Sequence, residues 1–130
     1  MTPSTIFPFI AGGLLAAFLI YRYLATRGVP RVDPVPASER VRAGQAVLLD
    51  VRRNAERSAG TIQGSIHIPL HELGGRSAEL KKFGTKEIIC FCQSGSRSLG
   101  AAARLRRLGI PASSLEGGIG GWNFAHRARR

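Results

Sequence analysis

Cysteine and acidic residues are scarce in this chain, and its first stretch carries no charge. Cys90 and Cys92 are the only cysteines among 130 residues. Their spacing does not easily give an unstrained disulfide, so the chain has no disulfide framework and a reducing compartment suits it. Eight Asp and Glu stand against 19 Lys and Arg, giving a net charge of +11. Nucleic-acid binding is one reading of that balance, but no aromatic-rich basic strand, zinc-ligand pattern or helix-turn-helix signature supports it. Attraction to anionic lipids is the simpler account, and charge near a site also draws anionic ligands. Arg127, Arg129 and Arg130 form a basic tail, while Arg104 and Arg107 share an exposed helix face. His67 and His71 stand four apart, yet Pro69 between them breaks the helix that would align their rings. No metal site and no cofactor are expected.

The missing charge lies between Thr2 and Tyr21, a run dominated by Ile, Leu, Phe and Ala. As a helix it spans about 30 Å, enough for a bilayer core. Arg22 and Arg27 follow directly, and Tyr21 and Tyr23 suit the interface. A cleaved signal peptide calls for positive charge before the apolar run and small residues after it, whereas Tyr23-Leu24-Ala25-Thr26-Arg27 is a poor cleavage site. Residues 1–27 therefore read as an uncleaved transmembrane anchor. Arg22, Arg27 and Arg31 lie after the span, so the positive-inside rule places the following domain on the cytoplasmic side.

Residues 28–36 hold three prolines and little helical pattern, and read as an extended, semi-rigid linker. Residues 37–130 are long enough for one modest domain. Within them strands and helices alternate. Strands are expected at Val47–Val51, Ser65–Ile68, Ile88–Phe91 and around Ser114–Leu115. A helix is expected from Pro36 to Arg42, and a turn of helix capped by Asn54 stops at Gly60. A longer helix carries Leu73, Leu80 and Phe83 along one stripe. Another runs from Arg97 through Ala101, Ala102, Leu105 and Leu108, and a terminal one covers Gly121–Ala128. This alternation predicts an α/β fold with a mainly parallel central sheet flanked by helices on both faces. Ligands of such sheets bind at the carboxyl ends of the strands, where Asp50 and Cys92 both fall.

Cys92 stands where the apolar run Ile88–Phe91 meets the loop Gln93-Ser94-Gly95-Ser96 and the helix that follows. Unpaired backbone N–H groups and the positive end of a helix dipole converge there, which lowers a thiol pKa without a histidine. Small residues let consecutive N–H groups turn inward as an anion-binding nest, and Arg97 adds a positive charge. Most free cysteines are packing residues, and Cys90, inside the strand, fits that description. Cys92 is the candidate nucleophile.

Cysteine-type phosphatases cradle a phosphoryl group in a Cys-x5-Arg loop. Here Cys92-x4-Arg97 is one residue shorter and suits a single sulfur atom better. Cys-x-x-Gly-x-Arg-Ser resembles the active-site loop of rhodanese-type sulfurtransferases. Leu48-Leu49-Asp50-Val51-Arg52 is similar to that family's first core strand with its Asp-x-Arg ending. The run from Gly60 to Pro69 is similar to its Gly-His-Ile-x-Gly-Ala-x-x-Ile-Pro segment, and Glu116-Gly117-Gly118 with Trp122 matches its closing Glu-Gly-Gly-x-x-x-Trp.

The resemblance implies a rhodanese-like three-layer fold and a persulfide on Cys92. It implies an active-site loop of Gln93, Ser94, Gly95, Ser96, Arg97 and Ser98, with Asp50 and Arg52 in support. It further implies a thiosulfate or persulfide donor and a thiol or protein acceptor. The sequence departs from the family at three places. Thr61 stands where a histidine is usual, polar Arg57-Ser58 where an aromatic is usual, and Gln93 where arginine is common, which weakens the case for thiosulfate. A non-catalytic membrane-tethered persulfide carrier or sensor is the alternative reading. A phosphatase is disfavoured by the short loop, and an arsenate reductase by the lack of a well-placed resolving cysteine.

Overall fold

The computed structural model describes residues 2–128. Its strands are β1 (Arg31–Val32), β2 (Ala46–Asp50), β3 (Ile66–His67), β4 (Glu87–Phe91) and β5 (Ala112–Leu115). All pair in parallel, in the order β1-β5-β4-β2-β3, which places β4 at the centre. The helices are α1 (Pro3–Thr26), α2 (Pro34–Arg42), α3 (Asn54–Ser58), α4 (Leu73–Arg76), α5 (Ser96–Arg107) and α6 (Gly118–Ala128).

Strand alternation divides the core in two. Ile88, Cys90 and Cys92 face one side and pack with Leu49, Leu73, Ala101, Ala102 and Leu105, under α4 and α5. Ile89 and Phe91 face the other side and pack with Ala37, Leu115 and Ile119, under α2 and α6. A strand buried on both faces has no polar position to alternate with, which is why Ile88–Phe91 reads as an unbroken apolar run. Ala101 and Ala102 are fully buried and small, so α5 lies close against the sheet behind Cys92.

Two expectations are corrected. Residues 31–36 are not an extended linker. Arg31 pairs with Ser114 and Val32 with Leu115, making β1 an edge strand, and α2 begins at Pro34. The prolines there open a helix, where a missing N–H costs nothing, instead of stiffening a spacer. The helix expected along Leu73, Leu80 and Phe83 is broken into 3₁₀ turns (Leu70–Glu72 and Ser77–Phe83) on either side of the single turn α4. Gly74 and Gly75 sit in that turn and weaken a longer helix. Leu73 and Leu80 are nonetheless both buried. Other boundaries differ by a few residues, the largest shift being α6, which starts at Gly118 instead of Gly121.

Helix α1 is apolar and long enough to cross a membrane, and none of its side chains is buried. Its last turns run beside α5. Arg22 Nη2 donates to the Ser96 carbonyl at 3.4 Å, and Ala25 and Arg27 share a cavity with Ala103, Arg106 and Arg107.

Candidate active site

Cys92 is the first residue beyond the central strand. The chain reverses within three residues because Gly95 adopts φ 114°, a conformation disfavoured for other residues, and α5 starts at Ser96. The start of α6 holds the loop from outside. Ile119 N–H donates to the Cys92 carbonyl at 2.9 Å and Gly120 N–H to the Gln93 carbonyl at 3.3 Å. This approach requires Gly118, where a Cβ would collide with both carbonyl oxygens. With those carbonyls turned out to α6, Gly95 N–H points inward and donates to Cys92 Sγ at 3.0 Å.

Ser98 lies behind the sulfur. Its Oγ is 3.6 Å from Sγ, donates to the Gly95 carbonyl at 3.0 Å, and sits 2.8 Å from Ser114 Oγ. Burial alone would push the Cys92 thiol up. The Ser98 hydroxyl and the backbone N–H groups of Ser98, Gly95 and Ser94 outweigh it and hold the thiol below its ordinary range. Cys90 is fully buried, and burial pushes its thiol far up, with the charge of Cys92 adding to the effect. The two thiols share one face of the sheet, but hydrogen-bond donors converge on one of them alone.

Arg97 is held by Glu56. Its Nη1 and Nη2 donate to the two carboxylate oxygens at 2.6 and 2.7 Å, a bidentate pair. The Arg97 hydrogen bonds bring the Glu56 carboxyl down to about 2, and Glu56 in turn raises Arg97, which also feels the charge of Cys92. Glu56 additionally accepts from Arg53 N–H at 3.2 Å, so one carboxylate joins the start of α3 to the active-site loop.

Asp50 and Arg52 form a buried network one strand away from the sulfur. Asp50 Oδ1 accepts from Arg52 N and Nε, each at 3.0 Å, and Oδ2 accepts from Arg52 Nη2 at 3.0 Å. Arg52 also donates to the carbonyls of Gly60 at 2.7 Å and Glu56 at 3.4 Å. Burial raises the Asp50 carboxyl, but the Arg52 and Thr61 hydrogen bonds win and hold it below its usual value. Neither side chain has a hydrogen bond to Cys92. They anchor α3, α3 carries Glu56, and Glu56 holds Arg97.

Of the residues the sequence singled out, the structure thus gathers Cys92, Gly95, Arg97 and Ser98 around the sulfur. Gln93, Ser94 and Ser96 are exposed on the loop. Gln93 lines a cavity of about 380 Å³ with Arg52, Thr61 and Asn123. His67 Nε2 is 2.7 Å from the Arg52 carbonyl, and His71 is exposed beside Glu72. Sequence reasoning missed Glu56 and Ser114. An acid four residues beyond Arg52, in a chain with so few acids, was the available signal for Glu56. A serine within the last strand was the signal for Ser114.

Residues 33–125 match the rhodanese-like domain family, and the chain belongs to that family. It is 35% identical over 94 residues to the human thiosulfate:glutathione sulfurtransferase, covering 63% of this chain and 82% of that one. It is 33% identical over 96 residues to a sulfurtransferase of Allochromatium vinosum, covering 72% of this chain and 88% of that one. The protein YqhL of Bacillus subtilis is 33% identical over 120 residues, covering 90% of this chain and 94% of that one, a span too long to exclude the apolar N-terminal segment. Among solved structures, the human single-domain sulfurtransferase superposes with a TM-score of 0.63 at 31% identity, covering 73% of this chain and 96% of that one.

Proposed function

We propose that this protein transfers sulfane sulfur through a persulfide on Cys92. The Cys92 thiolate attacks the outer sulfur of thiosulfate or a persulfide. The donor's S–S bond breaks, and its electron pair leaves with sulfite or a thiolate. A thiolate acceptor then attacks the outer sulfur on Cys92, and the Cys92 thiolate leaves. One sulfur atom moves and no external oxidant or reductant is needed. The loop N–H groups, Gly95 foremost, stabilise negative charge on sulfur in both steps. Arg97, tied to Glu56, keeps the loop in shape, with Asp50 and Arg52 supporting α3.

The observation that carries this reading is the 3.0 Å hydrogen bond from Gly95 N–H to Cys92 Sγ, with the Ser98 hydroxyl behind it. Family membership supports the chemistry. The test is mass spectrometry of the full chain in detergent after exposure to thiosulfate or to glutathione persulfide. A gain of about 32 Da is expected on the wild type and not on Cys92→Ser. No gain from either donor overturns the reading. Loading without turnover on small thiols, followed by rapid transfer to a protein, would make the domain a carrier.

In this reading α1 anchors the protein in a membrane, and the arginines that follow it keep the domain on the cytoplasmic side. A free thiol at Cys92 agrees with that compartment.

A further inference from the structure

Arg22 contacts Ser96 at the first turn of α5, whereas Ala25, Arg27 and Gly28 border a cavity with Ala103, Arg106 and Arg107 near its end. From Arg22 to Gly28 the chain therefore runs along α5 in the same sense as α5 itself. Followed backwards from Arg22, α1 leaves the domain past the N-terminus of α5, the end where the Cys92 loop lies. The 19 residues from Pro3 to Tyr21 project about 28 Å in that direction. They contain all but the first residue of the uncharged run, with Tyr21 and Tyr23 at its boundary.

The charges on that side of the domain agree. Arg22 and Arg31 are exposed, and Arg31 borders a cavity of about 220 Å³ with Ser94 of the loop, Ser96 and Leu99 of α5, and the exposed Glu116. On the other flank Arg53, whose side chain is 81% exposed, shares a cavity with Arg97, His71 and Arg104. Basic groups on both flanks of the loop match an anionic lipid surface.

We propose that the mouth of the Cys92 site faces the bilayer, and that the small-molecule sulfur partner is an amphiphilic thiol or persulfide held in the headgroup layer. This rests on the reading of α1 as a membrane span and of Cys92 as the sulfur-carrying residue. With Arg22 at the interface and Ser96 beside it, the loop lies within about one interfacial layer, roughly 5–8 Å, of the hydrocarbon. A folded partner of ~100 residues, with a radius of gyration of ~13 Å, does not fit in that gap. A headgroup-sized molecule does. In the transfer, the Cys92 thiolate attacks the outer sulfur of the amphiphile's persulfide, and the amphiphile leaves as its thiolate.

The full chain is reconstituted in vesicles of phosphatidylcholine and phosphatidylglycerol, and flotation confirms its insertion. In a Cys92→Ser background, a fluorophore is placed at Arg53→Cys, near the loop, or at Lys86→Cys, at the opposite end of β4. Lipids carrying a headgroup quencher should extinguish the first label and spare the second. Equal quenching, or the reverse, overturns the orientation. In the wild type, Cys92 loading is then compared between hexadecyl persulfide and glutathione persulfide. A flexible Gly/Ser insertion between Gly28 and Val29, which keeps the tether but frees the domain, should slow loading from the hexadecyl donor by roughly tenfold and leave the soluble donor unchanged. An unchanged hexadecyl rate overturns the inferred partner. Failure of both donors in the wild type instead removes the sulfur-transfer reading, while the fluorescence result still decides the orientation.

Discussion

Thr61 Oγ1 donates to Asp50 Oδ2 at 2.9 Å, and Arg57 Nη1 reaches the same oxygen at 3.3 Å. Thr61 and Arg57 both depart from the family's usual residues, and they meet on one fully buried carboxylate. Ser65 joins them, with its Oγ 3.1 Å from Thr61 Oγ1 and its carbonyl accepting from Arg57 Nη2 at 2.9 Å. These two departures are thus coupled through one carboxylate. Thr61→Ala should cost about 1–2 kcal/mol. Replacing Arg57 by Phe and Thr61 by His together should cost less than the sum of the single changes, by about 1 kcal/mol. A double-mutant cycle in urea measures both, and strict additivity would contradict the coupling.

Cys92 should become reactive at a pH below the ordinary thiol range, since Ser98, Gly95 and Ser94 favour its thiolate over the opposing effect of burial. Ser98→Ala removes the hydroxyl beside the sulfur that helps lower the thiol, so the inflection in the loading rate should move to higher pH. Ser114→Ala should move it the same way by less, because Ser114 acts only through Ser98. Stopped-flow loading at a series of pH values reads both shifts.

Glu56 supplies a pH-dependent part of stability. Its folded pKa is depressed to about 2, against 4.5 for a free glutamate. The contribution is therefore complete above about pH 4.5 and disappears as pH falls towards 2. Glu56→Gln should flatten the loss of stability across that window. The check is urea midpoints at stepped pH, and an unchanged slope would show that Arg97 gains nothing from the pair.

Gly118→Ala should be among the most damaging small substitutions, at about 3 kcal/mol, because φ is positive there and the new methyl meets the Cys92 and Gln93 carbonyls. Gly100→Ala, in mid-α5 with open space around its Cβ position, should instead stabilise by about 0.5–1 kcal/mol. Thermal melts of the two variants in the same detergent separate the effects.

Where the pattern was dense, the sequence sufficed. The apolar run into Cys92, the small loop and the helical spacing after Arg97 placed β4, the turn and α5 within a residue or so. The parallel sheet followed from alternation. The failures came from residues with two meanings. Pro34 and Pro36 read equally as spacer and as helix start, and only pairing of β1 with β5 decides between them. Glu56, which holds Arg97, was missed because it lies 41 residues away in the sequence. Long-range ion pairs leave no local periodicity. Ser114 stood out only as a polar residue within a strand, and its importance depends on which helix turn covers it.

Strand β1 sets where the chain can be cut. Pro30 and Val32 carbonyls accept from Ser114 and Glu116 N–H, at 2.9 Å each. A fragment starting at Val35 would leave one side of β5 without its neighbour, and a bare strand edge recruits other chains. Expression trials should show such a fragment aggregating, while one beginning at Gly28 stays monomeric. The N-terminal segment and the rhodanese-like fold are therefore not separable modules with a free joint between them. Residues 31 and 32, just beyond the apolar helix, are the selvedge of the sheet.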